Sequence, residues 1–256
     1  VTIPVGTPRQ QEQLLYELLA GALRELRAMG ATLVGGHTIE GPQLTIGFTM
    51  LAEQIEPPRT KGQLCIGDCL VLTKPLGTGV LLAAHAQARC RAAWFQSLVQ
   101  TMLVGNQSAA SLCNEFDIRG LTDISGFGLA AHLLEMLRAS NVAAELSLSA
   151  IPILDGVLDL LAEGIESTLA PANRDAEVDM DESDSTTSLP RYAALFDPQT
   201  SGGLLMGVPA QHVEAVLSRL SKQNAVPVAV IGRVVESVPT EPRLRLTTQG
   251  NQTSHT

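Results

Sequence analysis

Asp123 stands where the short apolar lead-in Leu121-Thr122 meets the run Ser125-Gly126-Phe127-Gly128. Leu129, Leu133, Met136 and Leu137 follow at helical spacing, so LTDISGFGLAAH at 121–132 reads as strand end, glycine turn and helix start. A carboxylate at such a junction suits a hard cation such as Mg²⁺. The first amides of a helix lack internal partners and favour an anion beside it. The same residues also suit a capped strand-to-helix turn in which Asp123 or Ser125 accepts from backbone amides. Earlier in the chain, Gly35-Gly36 precede His37, Thr38 and Glu40. Two glycines permit a close backbone approach, and the polar side chains suit a phosphate or ribose; a connecting turn with a structural histidine is the alternative. The run from Lys74 to Gly79, KPLGTG, sets another glycine turn between a strand and a helix. It is not a Walker A sequence, and Lys74 reads as a solvated surface lysine. LFDPQTSGG at 195–203 reads as a Pro-Gly loop entering the apolar strand Leu204-Leu205-Met206.

Other chemistry is poorly supported. The four cysteines, Cys65, Cys69, Cys90 and Cys113, fit neither a zinc spacing nor a disulfide framework. They read as thiols in a reducing cytoplasm, without a neighbour that would make one a nucleophile. The five histidines form no HxxxH or HExxH set. The acidic segment 175–184 has no glycine for a calcium loop and reads as a solvated, mobile loop. A net charge of −9 argues against a nucleic-acid surface, and 3% aromatic residues argue against base-stacking platforms. No apolar run reaches membrane-spanning length.

The elements that must position these residues alternate between helix and strand. Thr7-Pro8-Arg9-Gln10 is a capping box with proline at the first helical position. Leu14, Leu15, Leu18, Leu19, Ala22, Leu23 and Leu26 then form one helical face, read as core, and Gly30 ends it. Strands are expected at Thr32–Val34 and at Leu44–Met50, where alternate residues are apolar. Further strands are expected at 70–73, 144–148, 204–206 and 228–235. Helices are expected from Val80, over 94–116 with a break at Gly105-Asn106, after Leu129, over 151–162 and over 212–220. The alternation predicts an α/β or α+β fold.

Four collinear segments resemble selenophosphate synthetases, of the AIR synthase-like ATP-binding superfamily. They are VGGHTIEGP at 34–42, GDCLVLTKPLGTGV at 67–80, LTDISGFGLAAHLLEM at 121–136 and LFDPQTSGGLL at 195–205. The resemblance implies an AIR synthase-like two-domain architecture: a partial N-terminal α/β domain over 1–56, a linker over 57–66, a complete C-terminal domain over 67–246 with helices over a mixed sheet, and a disordered tail over 247–256. It further implies a homodimer when full length; cysteine usage, charge and hydropathy add the expectation of a cytoplasmic protein with neither nucleic acid nor membrane as partner. ATP, selenide and water would be converted to selenophosphate, AMP and phosphate, with ATP between the domains beside Mg²⁺. By position, Gly36, His37 and Thr38 would contact the nucleotide and Asp123 would be a metal ligand. Asp123 and the diglycine are then expected to face one hollow that a magnesium-bound polyphosphate bridges.

Family members begin with a glycine-rich segment carrying a catalytic Cys or selenocysteine and a Lys. This chain shows no such segment before its first helix, so roughly the first hundred residues of a usual N-terminal domain are expected to be missing. No catalytic residue is therefore assigned, and the chain alone is expected to be inactive. Two alternatives stand beside this reading: a catalytically silent nucleotide-binding or dimerisation module, and another AIR synthase-like ATP-dependent enzyme with a different acceptor. Without its sheet partners, the first helix is expected to leave apolar surface around Leu14, Leu18 and Phe48.

Overall fold

The computed structural model describes residues 1–53, 58–181, 187–223 and 225–247. The chain divides into two compact units, Val1–Pro57 and Pro58–Thr256. The first holds β1 (Thr2–Pro4), α1 (Pro8–Ala28) and β2 (Ile39–Gly41), with β1 and β2 paired in parallel. The capping box at α1 forms as expected: the Thr7 hydroxyl accepts from the Gln10 amide, and the Gln10 side chain accepts from the Thr7 amide. Gly30 follows the helix at φ 71°.

Three expectations about this unit need correction. Thr32–Val34 is not a strand, and Leu44–Met50 contributes only a bridge from Thr45 to Thr2. The apolar face of α1 is not core, since none of its residues is fully buried. A two-stranded ribbon offers too little surface to cover a six-turn helix, and Ile3 is the only buried residue among those described here. Leu14 and Leu18 are half-buried, whereas Phe48 is 54% exposed in a row with Leu44, Ile46 and Met50.

The second unit is built on a mixed sheet. Its described elements are β3 (Cys69–Leu72), α2 (Thr78–Ala86), α3 (Ala92–Leu103), α4 (Gln107–Glu115), β4 (Leu121–Asp123), α5 (Gly128–Ser140) and β5 (Ala143–Ser147). They continue with α6 (Val157–Ala162), α7 (Ala170–Asn173), α8 (Pro190–Ala193), β6 (Leu204–Val208), α9 (Val213–Gln223), β7 (Ala229–Val235) and β8 (Leu244–Thr247). The strand order is β4-β6-β3-β7-β5-β8, antiparallel except for the parallel pair β5 and β8. Strand β3 is buried on both sides, which explains its unbroken apolar run. Leu70 and Leu72 pack with Leu129, Leu133 and Leu137 of α5. Val71 points the other way, into a cluster with Leu112 of α4 and Val216 and Leu220 of α9. A third cluster joins α2, α3 and α6 through Leu81, Leu98 and Leu160.

Here too the structure departs from expectation. The helix expected over 151–162 begins only at Val157, because Ile153 bridges to Leu76 and Gly156 takes φ 82° against the Trp94 ring. Strand β8 lies where the sequence has weak apolar signal, and Thr247 belongs to it rather than to a tail. Residues 174–179, expected without regular structure, form a 3₁₀ turn; Asp179 pairs with Arg138 at 3.0 Å, and Met180 bridges to Leu244. Glu182 and Asp184 of that acidic segment, and the tail beyond Thr247, lie outside the described residues. Within the segment expected as a linker, Leu64 is buried, its amide donates to Ser140 Oγ at 3.0 Å, and Thr60 bridges to Gly120. Among the described residues no helix is long and apolar enough to cross a membrane.

Candidate functional site

Strand pairing brings three loops to one end of the sheet. Asp123, last in β4, pairs with Leu204, first in β6, and Leu72, last in β3, pairs with Leu205. The connection from β3 to α2, the turn from β4 to α5 and the approach to β6 therefore meet. They are the KPLGTG, DISGFG and FDPQTSGG segments.

Gln199, 5% exposed, ties them together. Its Oε1 accepts from the amides of Gly77 (3.1 Å) and Thr78 (3.3 Å) and from Thr78 Oγ1 (3.2 Å). Its Nε2 donates to Asp197 O (2.8 Å) and Oδ2 (2.9 Å), and its own amide donates to Ser125 O at 2.9 Å. Asp197 Oδ2 also accepts from the Gly79 amide at 3.1 Å, while Oδ1 is buried without a partner among the described residues. Burial raises this carboxyl to about 7, against the lowering effect of Gln199 and the amides of Val80 and Gly79. The loops touch at backbone distance: a side chain on Gly202 would meet Ile124 O at 2.1 Å, and one on Gly203 would meet Lys74 N at 2.7 Å.

Lys74 corrects an expectation. It is 2% exposed, not solvated, and Nζ donates to Ser201 O at 2.8 Å. Ser201 holds a left-handed φ of 52°, and its hydroxyl donates to Met102 O at 2.7 Å. Burial lowers Lys74 to about 8. Since the folded value lies below the ordinary 10.5, the unfolded chain binds this proton more tightly. Lys74 therefore costs stability below pH 8, and that cost fades as pH rises to 10.5. Relative to Lys74→Met, the parent protein is expected to gain roughly 2–3 kcal/mol between pH 7.5 and 10.5; urea unfolding at a series of pH values checks this. Parallel profiles would show that the lysine titrates as it does in water.

The DISGFG turn is pinned from below and open above. His132 Nε2 accepts from the Ser125 amide and lies 3.3 Å from Ser125 Oγ. That contact places the ring proton on Nδ1, which is buried without a partner among the described residues. Burial, then the charge of Lys61, lowers the His132 pKa and favours this neutral ring. Asn173 Nδ2 donates to Gly126 O and Phe196 O, both at 2.9 Å. Asp123 is exposed, and among the described residues its carboxylate has no hydrogen-bond or ion-pair partner. Phe127 is 67% exposed, and nothing lies within 4 Å of where a Gly126 side chain would stand.

Gly36, His37 and Thr38 belong to the first unit and Asp123 to the second. All four are exposed. Gly35 and Gly36 have open space where a side chain would stand, and His37 O accepts from the amino group of Val1 at 2.9 Å. Sequence reasoning missed Lys74, Asp197, Gln199, His132 and Asn173 as parts of the site. Only Lys74 and Asp197 carried a usable signal, a charge directly abutting an apolar run.

Among the described residues no three His, Cys, Asp or Glu converge as a metal site. A lone exposed carboxylate is a poor resident-metal site. It does suit Mg²⁺, which keeps several waters and binds through one or two carboxylates plus substrate phosphates.

Residues 66–244 match the family described as AIR synthase related protein, C-terminal domain. The chain is 38% identical over 222 residues to a selenide, water dikinase of Geobacter metallireducens, across 86% of this chain. It spans 64% of that relative's length. Among solved structures, thiamine-monophosphate kinase from Stenotrophomonas maltophilia is similar with a TM-score of 0.65 and 19% identity, over 97% of this chain and 71% of that one. Hydrogenase maturation protein HypE in complex with ATP is similar with a TM-score of 0.62 and 19% identity, over 96% and 67% respectively. These two likenesses establish the fold, helices over a mixed sheet.

Proposed function

Because the chain belongs to the AIR synthase-related family, among relatives named selenide, water dikinase, we propose that it is part of an ATP-dependent enzyme making selenophosphate, AMP and phosphate from ATP, selenide and water. The likeness to a selenide, water dikinase over 86% of the chain carries this reading. The ATP complex of HypE, on the same fold, supports a nucleotide as ligand. Gly36, His37 and Thr38 contact the nucleotide, and Asp123 holds Mg²⁺ carried in with its phosphates. Bound there, the cation would neutralise charge developing on the transferred phosphoryl group. The chain's own part is to hold the carboxylate still: Gln199, His132 and Asn173 fasten the turn that follows Asp123, and the open face at Gly126 leaves room for ligand. Homodimerisation is part of the proposal. The exposed row of Leu44, Ile46, Phe48 and Met50 is the kind of apolar surface that a second copy covers.

Asp123→Ala in the full-length protein is expected to lower MgATP-dependent selenophosphate formation at least about 100-fold, the scale of losing a metal that stabilises phosphoryl transfer. Phosphorus NMR of the product checks it. Undiminished turnover would remove Asp123 from the site.

A further inference from the structure

We propose that Gln199 is the positioning residue of this site, and that its role depends on presenting an acceptor to one loop and a donor to the other. Its carboxamide lies between groups that tolerate only one orientation. On the Oε1 side are three donors, the amides of Gly77 and Thr78 and the Thr78 hydroxyl. On the Nε2 side are two acceptors, the carbonyl and carboxylate of Asp197. A flipped amide would set donor against donor and acceptor against acceptor. The main chain of the same residue reaches the third loop, where its amide donates to Ser125 O at 2.9 Å. Ser125 stands two residues beyond Asp123. One buried residue thus couples the start of α2 to the turn beside the exposed carboxylate. Thr200 extends the link by donating its amide to Thr78 Oγ1 at 2.8 Å.

Glutamate has nearly the same shape but lacks the donor. In Gln199→Glu two buried carboxyls would face each other, and such a pair holds one proton between them rather than ionising fully. With that proton, the substituted side chain donates to Asp197 as the amide does. Without it, the loops are pushed apart. Read as a ratio to the parent, whose own Asp197 titrates at about 7, the variant should therefore depend on pH. The charged groups around the pair are Glu166, which acts on Asp197 through space, Arg174, which pairs with Glu166, and Lys74, bonded to Ser201.

The consequence for MgATP rests on the function proposed above; the loop coupling does not. The test is amide hydrogen exchange at Gly79 and residue 199 in the full-length protein, as a ratio to the parent at the same pH, alongside KM for MgATP. At pH 8, Gln199→Glu is expected to exchange at least tenfold faster than the parent at both amides and to raise KM at least tenfold, with a smaller change in kcat. At pH 5.5 both ratios should return towards one. Asp197→Asn added to Gln199→Glu should restore protection of residue 199 and lower KM at pH 8, since one of the two facing charges is gone and the new amide can donate to residue 199; Gly79 should stay fast, because a nitrogen turned that way cannot accept from its amide. Protection of the Val71 amide, deep in β3, distinguishes loop opening from global unfolding. Equal ratios at the two pH values, or failure of residue 199 to recover in the double variant, would overturn the proposal. So would a KM that stays put while exchange accelerates. Failure of the Asp123→Ala test would instead overturn the nucleotide reading, leaving the exchange result to stand on its own.

Discussion

Asp197→Asn is expected to make the protein more stable than its parent at pH 8, by on the order of 4 kcal/mol at most. The parent carboxyl is 1% exposed and titrates at about 7 against an ordinary 3.8. The native state therefore holds this proton more tightly than the unfolded chain does. The stabilisation is complete below pH 3.8 and is lost as pH rises through 7, where burying the charge costs most. Asparagine keeps an oxygen to accept from Gly79 and Gln199, and it never ionises. Its nitrogen replaces Oδ1, which has no partner among the described residues of the parent either, so no additional buried polar group is orphaned. Urea unfolding of both proteins from pH 4 to 8 is the measurement. The parent should lose stability relative to the variant across that window; a constant difference would mean that Asp197 ionises normally. A carboxylate kept at this cost, where an amide would be more stable, belongs with the strained and over-determined groups that accompany functional sites.

Gly128→Ala should cost at least about 3 kcal/mol, whereas Gly126→Ala should stay within about 0.5 kcal/mol of the parent. The two glycines look equivalent in the sequence and differ sharply in space. Gly128 takes φ 76°, and a side chain there would stand 2.7 Å from Leu195 O and 2.9 Å from Phe196 C. Leu195 and Phe196 are fully buried, so neither can move aside cheaply. Alanine would meet both a backbone conformation that it rarely adopts and a collision with main chain. Gly126 faces open space. Thermal and urea unfolding of the pair check the difference. Equal losses would show that the turn adapts as a unit. Gly126→Ala should remain folded yet bind nucleotide less well in the full-length protein if its bare backbone is what the ligand approaches.

Several elements in both units were legible from local pattern alone. The spacing of Leu129, Leu133, Met136 and Leu137 foretold α5, the break at Gly105-Asn106 separated α3 from α4, and Thr7 and Gln10 marked the start of α1. These signals depend on neighbours within a few turns, which a sequence displays directly. Strand β8 was not legible, because Leu244 is buried by β5, a hundred residues away, and not by any periodicity of its own. The face of α1 misled for the converse reason: amphipathic spacing shows which side a helix would bury, not whether a partner is present to bury it.

The candidate site divides in the same way. Residue types and order determined that glycine turns would sit at strand ends, that Asp123 would close β4, and which family the four segments resemble. Tertiary structure alone decided that Lys74 is enclosed, that Asp197 is a nearly neutral acid, and that Gln199 joins three loops lying up to 122 residues apart. Burial and hydrogen-bond partnership are properties of what the chain brings together across the sheet. A residue's chemistry at such a place is set by neighbours that the linear order keeps far away.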